Sequence, residues 1–159
     1  MRTLFSHIYS ISLALWVGGI FLFTFIVTPV IFRSYPRDLS GDIVGRLFPY
    51  YFLYCLVVAA ASLGMLLLSS YDRIGSGYRL SLALLSAAVV ISLYTNFRLY
   101  PYISRVKQEV RSFEASSPDD PARKRFRALH AVSAVLNLIM LADGVTLIIL
   151  VSGLKKSLP

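Results

Sequence analysis

The chain has 159 residues, of which 57% are hydrophobic and 15% charged, a composition that excludes an ordinary soluble domain and points to the membrane class. Its net charge of +8 sits between long uncharged stretches, which argues against nucleic-acid binding and for contact with anionic lipid. A single cysteine, Cys55, excludes an internal disulfide.

The gaps between charges define the elements. Arg2 to Arg33 leaves thirty positions, Arg46 to Asp72 twenty-five, and Arg79 to Arg98 eighteen. Arg127 to Lys155 leaves twenty-seven, with Asp143 inside. A spanning helix needs roughly 18–20 apolar residues, so each gap predicts one. The spans fall at about 4–32, 49–71, 80–103 and 127–153, and residues 1–159 form a single four-span domain. The fold class is all-α, an integral membrane four-helix bundle.

The first span is too long for a signal peptide, and the bulky "TPVIFRSYPR" follows it in place of a cleavage site. His7, Ser10, Ala14 and Gly18 share one of its faces. The four-residue spacing of Ser10, Ala14 and Gly18 is the small-residue pattern that lets helices approach closely, and it predicts a packing seam. His7 is either a satisfied interfacial side chain or a ligand or proton carrier.

Between spans one and two, Leu39, Ile43 and Leu47 form an amphipathic stripe, read as a short interfacial helix. Pro49 then opens span two, and "YYFLY" supplies an aromatic belt. Beyond Pro101, Ile103, Val106, Val110 and Phe113 fall on one stripe, so the third helix runs past the membrane. Asp120 caps the last helix, with Pro121 at its first position.

Ten Lys and Arg flank the two long connections and five flank the other side, which predicts cytoplasmic long loops and both termini outside. The expected location is the plasma (inner) membrane, with anionic lipids against the cytoplasmic face.

The fourth span carries the costly residues. His130, Ser133, Asn137 and Gly144 share a face, and Asp143 points about 140° away from His130. An ionised Asp143 costs roughly 2.5–3.5 kcal/mol near mid-span, so it must be partnered, hydrated or protonated. Proton handling and a structural hydrogen bond both fit it. His130 falls level with Asn96, Arg98 and the tyrosines Tyr50, Tyr51 and Tyr54. With Asn137, these form the chain's richest polar constellation, a candidate ligand site. His7 and His130 lie on the order of 30 Å apart by helical rise, so one haem iron cannot take both within one subunit. The methionines and Cys55 show no clustered spacing for copper.

The segments "SHIYSISLALWVGGIF", "LFPYYF", "TNFRLYPYI" and "LHAVSAVLN" resemble the transmembrane-protein-205-like four-span family, over nearly the whole chain. That family has no defined activity, and the resemblance places His7, Trp16, Pro49, Asn96, Arg98, His130, Ser133 and Asn137 on motif positions. The "H…WVGG" opening is also distantly similar to copper-resistance-D proteins and to the four-helix haem-containing protoporphyrinogen oxidase. In that oxidase a first-span histidine is thought to serve the haem, which implies haem b at His7. The matching third-span lysine of the oxidase is missing. The leading expectation is therefore a non-enzymatic membrane protein that handles a small ligand or metal. A haem b redox protein using His7 and an accessory or scaffold subunit of a larger complex are the alternatives, and homo-oligomerisation is compatible with all three.

Overall fold

The computed structural model describes residues 2–69, 76–117 and 119–156. Every regular element among them is helical. α1 (Arg2–Phe21) passes through a π turn, Leu22–Val27, into α2 (Thr28–Ser34). α3 covers Arg37–Ser69. α4 (Ser76–Tyr94) passes through a second π turn, Thr95–Leu99, into α5 (Tyr100–Glu109), and α6 covers Pro121–Lys156. Four continuous rods result, each long and apolar enough to cross a membrane: Leu4–Ser34, Arg37–Leu68, Gly77–Glu109 and Pro121–Ser152. Much of their surface is apolar and outward-facing, as with Leu15, Phe25, Val57, Val90 and Ile149. The protein is an integral membrane four-helix bundle.

Prolines explain where the helices end and where they widen. Tyr35 precedes Pro36, which disfavours helical backbone, and its φ of −134° and ψ of 157° end α2. Ser40, wholly buried, then donates to the carbonyls of Ile31 and Tyr35 and stitches the turn. Pro29 lacks the N–H that the Phe25 carbonyl would take. The wider turn ahead of it lets the Thr28 N–H reach back five residues to the Phe23 carbonyl. Pro101 has the same relation to the second π turn, where the Tyr100 N–H bonds to the Thr95 carbonyl.

Pro49 sits inside α3 without breaking it. The carbonyl it orphans belongs to Gly45, and the Tyr100 hydroxyl donates to that oxygen at 2.9 Å. The stripe Leu39, Ile43 and Leu47 is therefore helical, but it forms the opening turns of the second rod and not a separate segment lying on the membrane. The third rod extends as expected, with Ile103, Val106 and Val110 buried. Asp120 caps α6 by accepting from the N–H groups of Ala122 and Arg123. Glu109 pairs with Arg125 of α6 at 3.5 Å.

The core is built on an aromatic and aliphatic face of α1. Tyr9, Leu13, Trp16 and Ile20 are buried there, against Phe52, Cys55 and Ala59 of α3, Leu85 and Ala88 of α4, and Met140 and Leu147 of α6. The expected seam of Ser10, Ala14 and Gly18 does not pack inside this bundle. Ala14 and Gly18 are exposed, and a Cβ added at Gly18 would meet nothing within 4 Å. The close approaches are made at Gly144, where a Cβ would lie 2.5 Å from Val17 and 3.4 Å from Trp16, and at Gly19, where it would strike the Tyr54 ring.

Candidate functional site

A buried polar layer crosses the bundle beneath the long-loop end. Tyr51 of α3 donates its hydroxyl to the Asn137 carbonyl oxygen, and the Asn137 amide donates to the Thr24 hydroxyl at 2.8 Å. Three rods are thus tied through one asparagine that is 8% exposed. Tyr51 is held by stacking on Phe23 at 4.1 Å. The Ser92 hydroxyl meets the Met140 sulfur at 3.3 Å, which fixes the register of α4 and α6. One turn further along both helices, Thr95 comes level with Asn137, so both π turns lie in this layer. Thr95 is buried, and its hydroxyl has no partner among the described residues.

Above the layer the bundle splits. α2 packs on the start of α3, and α5 packs on the start of α6, leaving a cleft of about 870 Å³ between the two pairs. One side of the cleft is closed by bridges from the third rod to α3. Tyr100 reaches Gly45, and Lys107 reaches the Gly41 carbonyl and the Asp42 carboxylate at 2.9 and 2.7 Å. Asp38 accepts from the Ser112 hydroxyl and the Phe113 N–H, both at 2.6 Å, and Glu114 accepts from the Arg37 N–H. These contacts order the connection between α5 and α6.

The cleft lining is both basic and aromatic. Arg37, Arg46, Arg111, Arg123 and Arg127 line it together with Lys107 and His130, against two carboxylates, Asp38 and Asp42. Both carboxylates are already engaged by the contacts just given. Arg123 donates to the Ser116 carbonyl. The guanidinium groups of Arg37, Arg46 and Arg111 have no partner among the described residues. Phe32, Phe48, Tyr100, Phe113 and Phe126 supply its aromatic lining. Phe126 stacks on His130 at 5.8 Å with 7° between the planes, and Phe48 meets the same imidazole at 6.4 Å.

The constellation expected around His130 is not brought together. His130 lines the cleft, and Asn137 is held one layer deeper. Arg98 is exposed and lines a separate, smaller groove between the third rod and α6, with Tyr94, Phe97, Tyr102 and Leu129. Asn96 is half-buried inside the π turn. Tyr50 is 76% exposed, and Tyr54 donates to the Leu15 carbonyl on α1. His7 is exposed at the far end of the bundle. The contacts of Gly144 with Trp16 and of Asn137 with Thr24 set α1 and α6 antiparallel, which separates His7 from His130 by on the order of 35 Å. Asp143 is half-buried, with no hydrogen bond or ion pair among the described residues. No three His, Cys, Asp or Glu side chains among those residues gather closely enough to hold a metal ion.

Sequence reasoning passed over Thr24, Arg46, Phe48, Arg111 and Phe126. Arg46 and Arg111 were counted only as topology charges. The run Phe48, Tyr51, Phe52, Cys55 and Ala59, at helical spacing, was the available signal for the inward face of α3.

No curated protein and no solved structure gives a significant match to the chain. One family signature does, over residues 11–112, which takes in the first rod from Ile11 onward and the second and third rods, and leaves His7 and all of α6 outside. On that match, covering more than half of its length, the chain belongs to the family described as Domain of unknown function (DUF4149).

Proposed function

We propose that this protein binds a small anionic ligand in the cleft at the long-loop end of the bundle. The observation that carries the reading is the excess of cationic over anionic side chains on the cleft wall, where Arg37, Arg46 and Arg111 have no partner among the described residues. Guanidinium groups bind carboxylate and phosphate oxygens bidentately, and they are less strongly hydrated than an ammonium group. The volume lies within the range of small-ligand sites, roughly 300–1,000 Å³. His130, held between two aromatic rings, adds a further N–H donor to the lining.

The test uses purified protein in mild detergent, melted with and without a panel of carboxylates and phosphates. A stabilising anion should raise the melting temperature in a saturable way, and Arg46→Gln with Arg111→Gln should remove most of that shift. Both side chains are exposed and have no partner among the described residues, so the double variant should melt like the parent when no anion is present. A panel with no saturable shift, or a shift indifferent to the two substitutions, would refute the reading.

The distant resemblance to the haem oxidase and the copper-resistance-D proteins would place its chemistry at His7 instead. Because His7, Ala14 and Gly18 all face outward, a haem or a docking partner there would lie on the outer surface of the first rod. A Soret band in the purified protein is the expected sign of the haem reading.

A further inference from the structure

The shape of the cleft says more than its charge. On one side it is sealed by Tyr100, Lys107, Asp38 and Arg37, whose contacts join α3 to the third rod and its connection. On the other side α2 turns toward α3, and the polar tie from the first rod to the fourth, Thr24 to Asn137, lies deeper. The open side is therefore the gap between α2 and α6, where Phe32, 45% exposed, and His130 line the wall. Arg33, Arg46 and Arg127 mark this level as the end of the uncharged stretches. An opening at that level, in the side of the bundle, faces the bilayer.

From this we infer that the cleft takes a phosphate-bearing membrane lipid, which enters sideways between α2 and α6. The inference rests on the cleft being the anion site and adds the source of the anion. The phosphate lies against Arg46 and Arg111 of the cleft wall, where guanidinium forks match its oxygens. The first methylenes of the chains lie on Phe32, Phe48 and Phe126, which a fully soluble anion would leave wet. Each buried methylene contributes roughly 0.8 kcal/mol, so a lipid gains what a bare phosphate lacks. Lipid chains have no need to leave hydrocarbon on the way in, because the portal opens into it.

Four probes separate the sources: dioleoyl phosphatidic acid, dioleoyl phosphatidylcholine, inorganic phosphate and glycerol 3-phosphate. Fluorescence of Trp16, the chain's one tryptophan and fully buried, reports melting in detergent. Phosphatidic acid should stabilise at micromolar concentration, with phosphatidylcholine and the soluble phosphates at least tenfold weaker. Arg46→Gln with Arg111→Gln should weaken phosphatidic acid at least tenfold, and Phe32→Ala severalfold. Phe32 is exposed, so its loss should leave the lipid-free melting point near the parent's. Soluble phosphates as effective as the lipid, or phosphatidic acid indifferent to Phe32→Ala, would overturn the lipid inference and leave the anion site standing. If neither lipid nor phosphate responds to the arginine substitutions, the anion site falls as well.

Discussion

Asn137 shows what a single amide can do where water is scarce. It accepts from Tyr51 and donates to Thr24, so removing it strands two hydroxyls on two other rods. Side-chain hydrogen bonds inside membranes average about 0.6 kcal/mol, reaching about 1.7 at most. Asn137→Leu should therefore lower stability by about 1 kcal/mol, and Tyr51→Phe by less, as measured by reversible unfolding in mixed micelles. Loss at Asn137 no greater than at half-buried Asn96 would show that the tie carries no stability. At the same scale, Gly144→Leu should be severe because Val17 and Trp16 leave its Cβ no room, and Gly18→Leu should be mild in the monomer. Sequence spacing placed Ser10, Ala14 and Gly18 correctly on one face but could not say which face was inward. In lipid, both faces of a rod are apolar, so hydrophobic contrast does not mark the core. The buried face turned out to carry Tyr9, Leu13, Trp16 and Ile20.

Prolines govern the elements. Two of the three rods that hold an internal proline widen into a π turn just ahead of it, and the third keeps its helix by borrowing a hydroxyl. Tyr100 completes the backbone of α3 at Gly45, which Pro49 cannot do. Tyr100→Phe should cost on the order of 1 kcal/mol, the ordinary penalty of an orphaned carbonyl. In a Pro49→Ala background the alanine N–H can take the Gly45 oxygen, so Tyr100→Phe should then cost markedly less. Equal costs in both backgrounds would remove the coupling. The four rods were legible from the gaps between charges, and so were the extension past Pro101 and the Asp120 cap. The side-chain directions beyond Leu22 and Thr95 were not, because each π turn adds a residue and shifts the phase that a straight wheel assumes. Arg98 and Asn96 lie inside such a turn, which is why they were expected beside His130 and are found elsewhere.

The whole molecule is asymmetric along its axis. Its middle is a packed bundle, and its long-loop end is two helix pairs held apart over a basic cleft. That end carries Arg33, Arg37, Arg46, Arg105 and Lys107, then Arg111, Arg123, Lys124, Arg125 and Arg127. Positive residues in short connections are retained on the cytoplasmic side, and each adds about 1 kcal/mol of attraction to an anionic leaflet close to the surface. We propose that topology and cleft chemistry are coupled, because the orientation expected from these charges would present the cleft to the leaflet richest in anionic lipid. Both long connections are expected inside. In a Cys55→Ser background, a thiol introduced at Ser117, in the connection before α6, should resist a membrane-impermeant maleimide on intact cells and react once the membrane is opened. Reaction at position 117 in intact cells would invert the molecule and turn the cleft toward the other leaflet. The anion site could survive that result, but its supply of lipid from the cytoplasmic leaflet could not.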